Sequence, residues 1–181
     1  MKYLPALCLV LAGCGQPQTP AVGHYDRQSW GGWVDADEDC MDTRHEILQR
    51  DSVEPVELDK KGCNVLFGSW VCPYTGEEIS DPKMVDIDHI VPLKNAHESG
   101  AHAWEDWERS LFFNSPGNLR AVSMSANRSK GNQGPSEWLP PDMGFRCQFV
   151  KDWLSVKNKW GLEMDCKEAQ ATSAAVSEYC F

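Results

Sequence analysis

The stretch Asp86-Ile87-Asp88-His89-Ile90-Val91-Pro92-Leu93 sets an acid directly beside an imidazole. Two asparagine blocks follow it, Asn118-Leu119 and Asn127-Arg128-Ser129-Lys130-Gly131. A carboxylate holds hard divalent cations, and a neutral imidazole accepts a proton from water near pH 7. A side-chain amide oxygen can complete a cation's shell, so these groups suffice for metal-assisted hydrolysis of a phosphodiester. Val85 to Ile90 reads as a strand that delivers Asp88 and His89, and Leu119 to Val122 reads as a second one. Ser125 is placed to cap a helix starting at Ala126, which sets Asn127 in its first turn. Neighbours on a flat strand point to opposite faces, so Asp88 and His89 converge only if the strand ends or bulges at His89.

These blocks resemble the HNH endonuclease superfamily, in particular a secreted bacterial branch reading DHIVPL, then NL, then NRSKG, with GmrSD C-terminal-like domains among its relatives. The likeness runs from about Arg44 to Leu162 and is densest from Asp86 to Pro141. It implies an α+β fold: a ββα-metal (His-Me finger) core over residues 84–141, embedded in a mostly helical single domain with a small β-hairpin. It also implies His89 as general base, Asn118 as the brace that aims the base, and Asp88 and Asn127 as ligands of one divalent cation. Asp86 shares a strand face with Asp88 and either supports the metal or faces solvent. Many relatives carry histidine where Asn127 stands. An all-oxygen donor set moves the expected ion from zinc or nickel to Mg2+, with Mn2+ and Ca2+ as alternatives. Arg120, Arg128 and Lys130 suit phosphate contacts at the rim. The implied substrate is nucleic acid, DNA with RNA not distinguished from it, and no protein partner is implied. Two rivals share the residues: a catalytically silent envelope lipoprotein of this fold, and a hydrolase of another phosphate ester.

Bulk properties bound these readings. A chain of 181 residues with 41% hydrophobic content and eight tryptophans builds one domain with a real core. Its net charge of -10 argues against capture of nucleic acid by the whole surface, so cations must be concentrated locally. His45-Glu46 and His97-Glu98 begin like a zinc-protease helix, but Gln49 and Ala101 stand where the second histidine belongs. His24 and His102 fall in polar surroundings and read as solvated. The sequence has no G-x-S-x-G and no P-loop.

The first residues read as an export signal: Lys2, an apolar run from Leu4 to Leu11, then Leu11-Ala12-Gly13-Cys14. That tetrapeptide resembles the bacterial lipobox, which implies a signal peptide over 1–13, lipid on Cys14, a tether over 14–24 and the nuclease domain over 25–181. With Gly15 after the cysteine, an outer-membrane anchor is favoured over the inner membrane, and release outside the cell is the alternative. Cys40, Cys63, Cys72, Cys147, Cys166 and Cys180 then remain for up to three disulfides. Cys63 and Cys72 flank a short apolar stretch and are the expected pair. Cys166 and Cys180 close the two ends of a predicted helix and are too far apart to pair with each other. A zinc cluster lacks any C-x-x-C to support it.

The remaining organisation is helical with short strands. Asp35, Asp37, Glu38 and Asp39 form a solvated acidic turn. Thr43 to Asp51 is predicted as a helix burying Ile47 and Leu48, and strands are predicted over 53–58 and 64–71. Helices are predicted over 94–100, 104–113, 147–160 and 167–179, with Trp104, Trp107 and Leu111 as the core stripe of the second. Pro73-Tyr74-Thr75-Gly76 reads as a turn.

Overall fold

Asp42 opens α1 (Thr43–Asp51), its carboxylate accepting the N–H of His45. The helix buries Ile47 and Leu48 as the sequence pattern requires. The computed structural model describes residues 22–180, so the predicted export signal and the Leu11–Cys14 motif lie outside the described residues. Two small antiparallel pairs follow α1: β1 (Glu57–Leu58) with β2 (Val65–Phe67), and β3 (Trp70–Val71) with β4 (Glu78–Ile79). They are shorter than predicted. The 64–71 run breaks at Gly68, where a Cβ would lie 2.6 Å from the Trp70 ring. Trp70 is buried there and donates its indole N–H to the Leu48 carbonyl at 2.8 Å.

The central pair is β5 (Val85–His89) and β6 (Leu119–Ser123), antiparallel, with Val85 opposite Ser123 and His89 opposite Leu119. Between them lie α2 (Leu93–Glu98) and α3 (Asp106–Phe113). Helix α4 (Met124–Lys130) follows β6 directly and is capped by Ser123 rather than Ser125. Asn127 therefore sits a full turn into α4. The long α5 (Met143–Trp160) and α6 (Cys166–Tyr179) complete an α+β domain. A two-stranded sheet leaves both edges open, and α1 closes the outer edge of β6. Arg50 donates to the Leu119 carbonyl at 2.6 Å, and Asp51 accepts the Ala121 N–H at 2.9 Å.

One apolar cluster joins Ile47 and Leu48 of α1, Val85 and Ile87 of β5, Leu119 and Ala121 of β6, and Phe149, Val150 and Trp153 of α5. The predicted core stripe of α3 is corrected here: Trp107 and Leu111 are 63% and 56% exposed, and the buried residues are Phe112 and Phe113. α3 meets the core through its last turn, where Phe112 packs on Trp30, Trp104 and Trp160. Among the described residues no helix is long and apolar enough to cross a membrane.

The disulfide framework also departs from expectation. Cys63 bonds Cys40, with Cα atoms 5.1 Å apart, and Cys72 is a buried free thiol. The physical reason is placement. Cys63 sits in the turn between β1 and β2, against the acidic loop that carries Cys40, whereas Cys72 enters the core beside Trp70. Cys147 of α5 bonds Cys180 at the end of α6, so Cys166 and Cys180 indeed do not pair, and Cys166 is not free. Alkylation before and after denaturation checks this arrangement. Cys72 should be labelled only in denatured protein, while Cys40–Cys63 and Cys147–Cys180 are recovered as linked peptides. Replacing both Cys147 and Cys180 by serine should cost about 2–4 kcal/mol of stability.

Candidate active site

The strand must stop at His89 if Asp88 and His89 are to serve one point, and it does. The Ile90 N–H donates to the Asn118 carbonyl at 2.8 Å. The fully buried Asn118 side chain then takes over the pairing, accepting the Val91 N–H at 2.8 Å and donating to the Val91 carbonyl at 3.1 Å. One amide thus replaces a strand partner on both of its groups, and the chain turns away into Pro92. Asn118 lies beneath the site as a brace for this turn.

His89 is held by its ring edge and its ring face. Its Nε2 lies 2.8 Å from the Phe113 carbonyl oxygen. A carbonyl only accepts, so Nε2 carries the proton and Nδ1 keeps the lone pair. Trp33 stacks on the imidazole at 5.9 Å with a 6° interplanar angle, and the Phe113 ring meets it edge-on at 4.9 Å. Burial lowers the imidazole pKa to about 3, against the opposing pull of the Phe113 carbonyl. The ring is therefore neutral at pH 7.

Asp88 is 5% exposed, and both its oxygens are engaged. Lys130 Nζ lies 2.9 Å from Oδ1 and also donates to the His89 carbonyl at 2.8 Å, while the Tyr74 hydroxyl donates to Oδ2 at 2.6 Å. Burial pushes the Asp88 carboxyl up and the Lys130 amine down, each opposed by the other's charge. Burial also keeps Tyr74 a phenol, well above its usual range. Asn127 donates its amide nitrogen to Asp86 Oδ2 at 3.0 Å. Because an ionised carboxylate only accepts, this contact fixes which end of the Asn127 amide is used and leaves its oxygen as an acceptor. Each Asp88 oxygen likewise retains a second lone-pair direction. The donors are all oxygen, which fits a hard divalent cation, with Asp86 orienting Asn127.

Asp88, His89 and Asn127 line one cleft of about 160 Å³, together with Tyr25, Arg27 and Asn132. The predicted rim cations do not gather there. Lys130 is fully buried against Asp88 and cannot be a rim phosphate contact, and Arg120 is turned to Asp152 at 2.7 Å. Arg128 is exposed and lies outside the cleft lining. Sequence reasoning missed Tyr74, which reads as a turn residue, and the Trp33 and Phe113 that enclose His89. Tyr74 carries only the signal of an aromatic residue amid turn residues, and Phe113, following Leu111 and Phe112, reads as part of an apolar helical run.

Over residues 42–172 the chain matches the family of GmrSD restriction endonucleases, C-terminal domain, and it belongs to that family. Membership points to nuclease-like chemistry, and a divalent metal is the general requirement of HNH nucleases. A protein from Arthroderma benhamiae described as an uncharacterized secreted protein is 36% identical over 164 residues, which are 90% of this chain and 78% of the relative. No solved structure matches the chain.

The buried contact between Lys130 and Asp88 makes a direct prediction. Lys130→Ala leaves a carboxylate without its partner and should cost about 3–5 kcal/mol in urea denaturation. Arg128→Ala, on the exposed side of the same helix, should change stability by less than about 0.5 kcal/mol.

Proposed function

We propose that this protein is an HNH-type endonuclease that hydrolyses phosphodiester bonds of DNA, with RNA as a second substrate to be tested. The observation that carries the reading is His89, its Nε2–H committed to the Phe113 carbonyl so that Nδ1 keeps its lone pair, lining one cleft with Asp88 and Asn127. His89 Nδ1 takes a proton from water as the water oxygen bonds to phosphorus. The P–O3′ bond breaks, leaving a 5′-phosphate on one fragment; the departing O3′ takes a proton from solvent to become a 3′-hydroxyl, and the imidazolium returns its proton to solvent. Phe113 and Trp33 hold the imidazole through this cycle, and the Phe113 carbonyl supports the positive charge that it transiently carries. Asn118 keeps the turn after His89 fixed, so the base stays aimed. Asp88 and Asn127 would hold the divalent ion, most simply Mg2+, which supplies charge neutralisation at the phosphoryl and leaving oxygens when bound. Mn2+ and Ca2+ share that preference for oxygen donors.

The reading includes export. Leu11-Ala12-Gly13-Cys14 supports a lipid-anchored envelope protein, and the printed name of the Arthroderma benhamiae relative supports passage out of the cell. Cys14→Ala should move the protein from the membrane fraction to the soluble one. Recovery of wild-type protein in the soluble fraction, unmodified at Cys14, contradicts the anchor.

Nicking of supercoiled plasmid tests the chemistry. EDTA should abolish it and Mg2+ restore it. His89→Ala should slow cleavage about 10²–10⁴-fold with cation binding retained. Asp88→Ala and Asn127→Ala should weaken cation binding, and added metal should recover part of their activity. A His89→Ala protein that nicks at the wild-type rate removes the proposed mechanism.

A further inference from the structure

The cleft has a wall that the family match does not cover. Residues 25–33 lie before the matched region, which starts at 42, yet Tyr25 and Arg27 line the cleft with Asp88, His89 and Asn127. This segment is tightly placed. Trp30 is fully buried, packed on Trp104 and Phe112. Asp26 caps a short 3-10 turn over Arg27–Trp30 by accepting the Gln28 N–H at 2.9 Å. The Asn114 amide then clamps the following residues, accepting the Val34 N–H at 3.2 Å and donating to the Gly32 carbonyl at 3.1 Å. The result fixes Trp33 on the face of His89.

Arg27 Cζ stands 5.2 Å from the centre of the Phe113 ring, the residue whose carbonyl holds His89 Nε2. A cation–π contact of this kind uses none of the guanidinium N–H groups, and among the described residues no hydrogen bond engages them. Among the described residues no carboxylate is paired with it. Of the other cations proposed for the rim, Lys130 is spent on Asp88, Arg120 is paired with Asp152, and Arg128 lies outside the cleft lining. An anionic strand approaching a protein of net charge -10 needs a local cation at the cleft, and Arg27 is the cation that lines it.

Resting on the nuclease reading above, we infer that Arg27 contacts a phosphate of the bound nucleic acid at the cleft, so that the N-terminal segment over 25–33 is a working wall of the active site. A planar, permanently charged fork suits a phosphate's two non-bridging oxygens. Trp33 acts through His89 as a positioning residue.

The test uses the full chain in four forms: wild type, Arg27→Ala, Arg27→Lys and His89→Ala. Plasmid nicking gives kcat/KM. Binding of a short fluorescein-labelled DNA duplex is measured in Ca2+ over about 50–200 mM salt, with the Arg27 variants made in the His89→Ala background to prevent cleavage. Arg27→Ala should lower kcat/KM about 10–100-fold and reduce the slope of log K against log salt by about one. Arg27→Lys should restore the slope, because it keeps the charge, and recover only part of the rate. Thermal melting should be unchanged for both. Wild-type kcat/KM in Arg27→Ala, with His89→Ala inactive, overturns the role of Arg27 and leaves the nuclease reading standing. A loss of rate with an unchanged salt slope also overturns it, since Arg27 would then act only through structure. Full activity in His89→Ala defeats the underlying reading instead.

Discussion

A lysine with no exposed surface, held 2.9 Å from Asp88, is the contact on which the site depends. Burying a lone carboxylate costs several kcal/mol, and here the cost is offset by Lys130 from α4 and the Tyr74 hydroxyl from the turn between β3 and β4. Because Lys130 also holds the His89 carbonyl, the same amine ties α4 to the last residue of β5. It thereby sets the distance between the strand that carries Asp88 and the helix that carries Asn127. Its charge is consumed in doing so, which is why a residue that looks like a phosphate contact in sequence is not one in the fold.

The setting of His89, the proposed base, is assembled from more distant parts of the chain. β5 contributes His89, the end of α3 contributes the Phe113 carbonyl, and the segment before α1 contributes Trp33. α3 earns its place by its last turn, since Phe112 fills the core while Phe113 turns its carbonyl to the imidazole and its ring to Arg27. The tautomer of His89 follows from this packing, since Nε2 must carry the proton that the Phe113 carbonyl accepts. Asn118 completes the arrangement from below by pairing both backbone groups of Val91 after the strand has ended.

Local patterns were legible where local forces decide. α1 forms over Thr43–Asp51 as its periodicity requires, and β5 ends at His89, where the geometry of alternating side chains demands a stop. The grouping of Asp88, His89 and Asn127 in one cleft follows the motif spacing. What depends on packing was not legible. Six cysteines permit fifteen pairings, and only the approach of the acidic loop to the β1–β2 turn selects Cys63 for Cys40. The face of α3 was misjudged because Trp107 and Leu111 are as apolar as Phe112 and Phe113, and a helix that docks by one end breaks its own periodicity. The partners of Lys130 and Arg120 were hidden for the same reason, since charge is visible in sequence and its neutralisation is not.

His89 presents an unprotonated Nδ1 because its Nε2–H is committed to the Phe113 carbonyl. Long-range proton–nitrogen correlation NMR of the protein labelled with 15N-histidine reads this directly at neutral pH. The expected result is a neutral imidazole with its proton on Nε2 and a pyridine-like Nδ1. A proton found on Nδ1, or a doubly protonated ring, would contradict it.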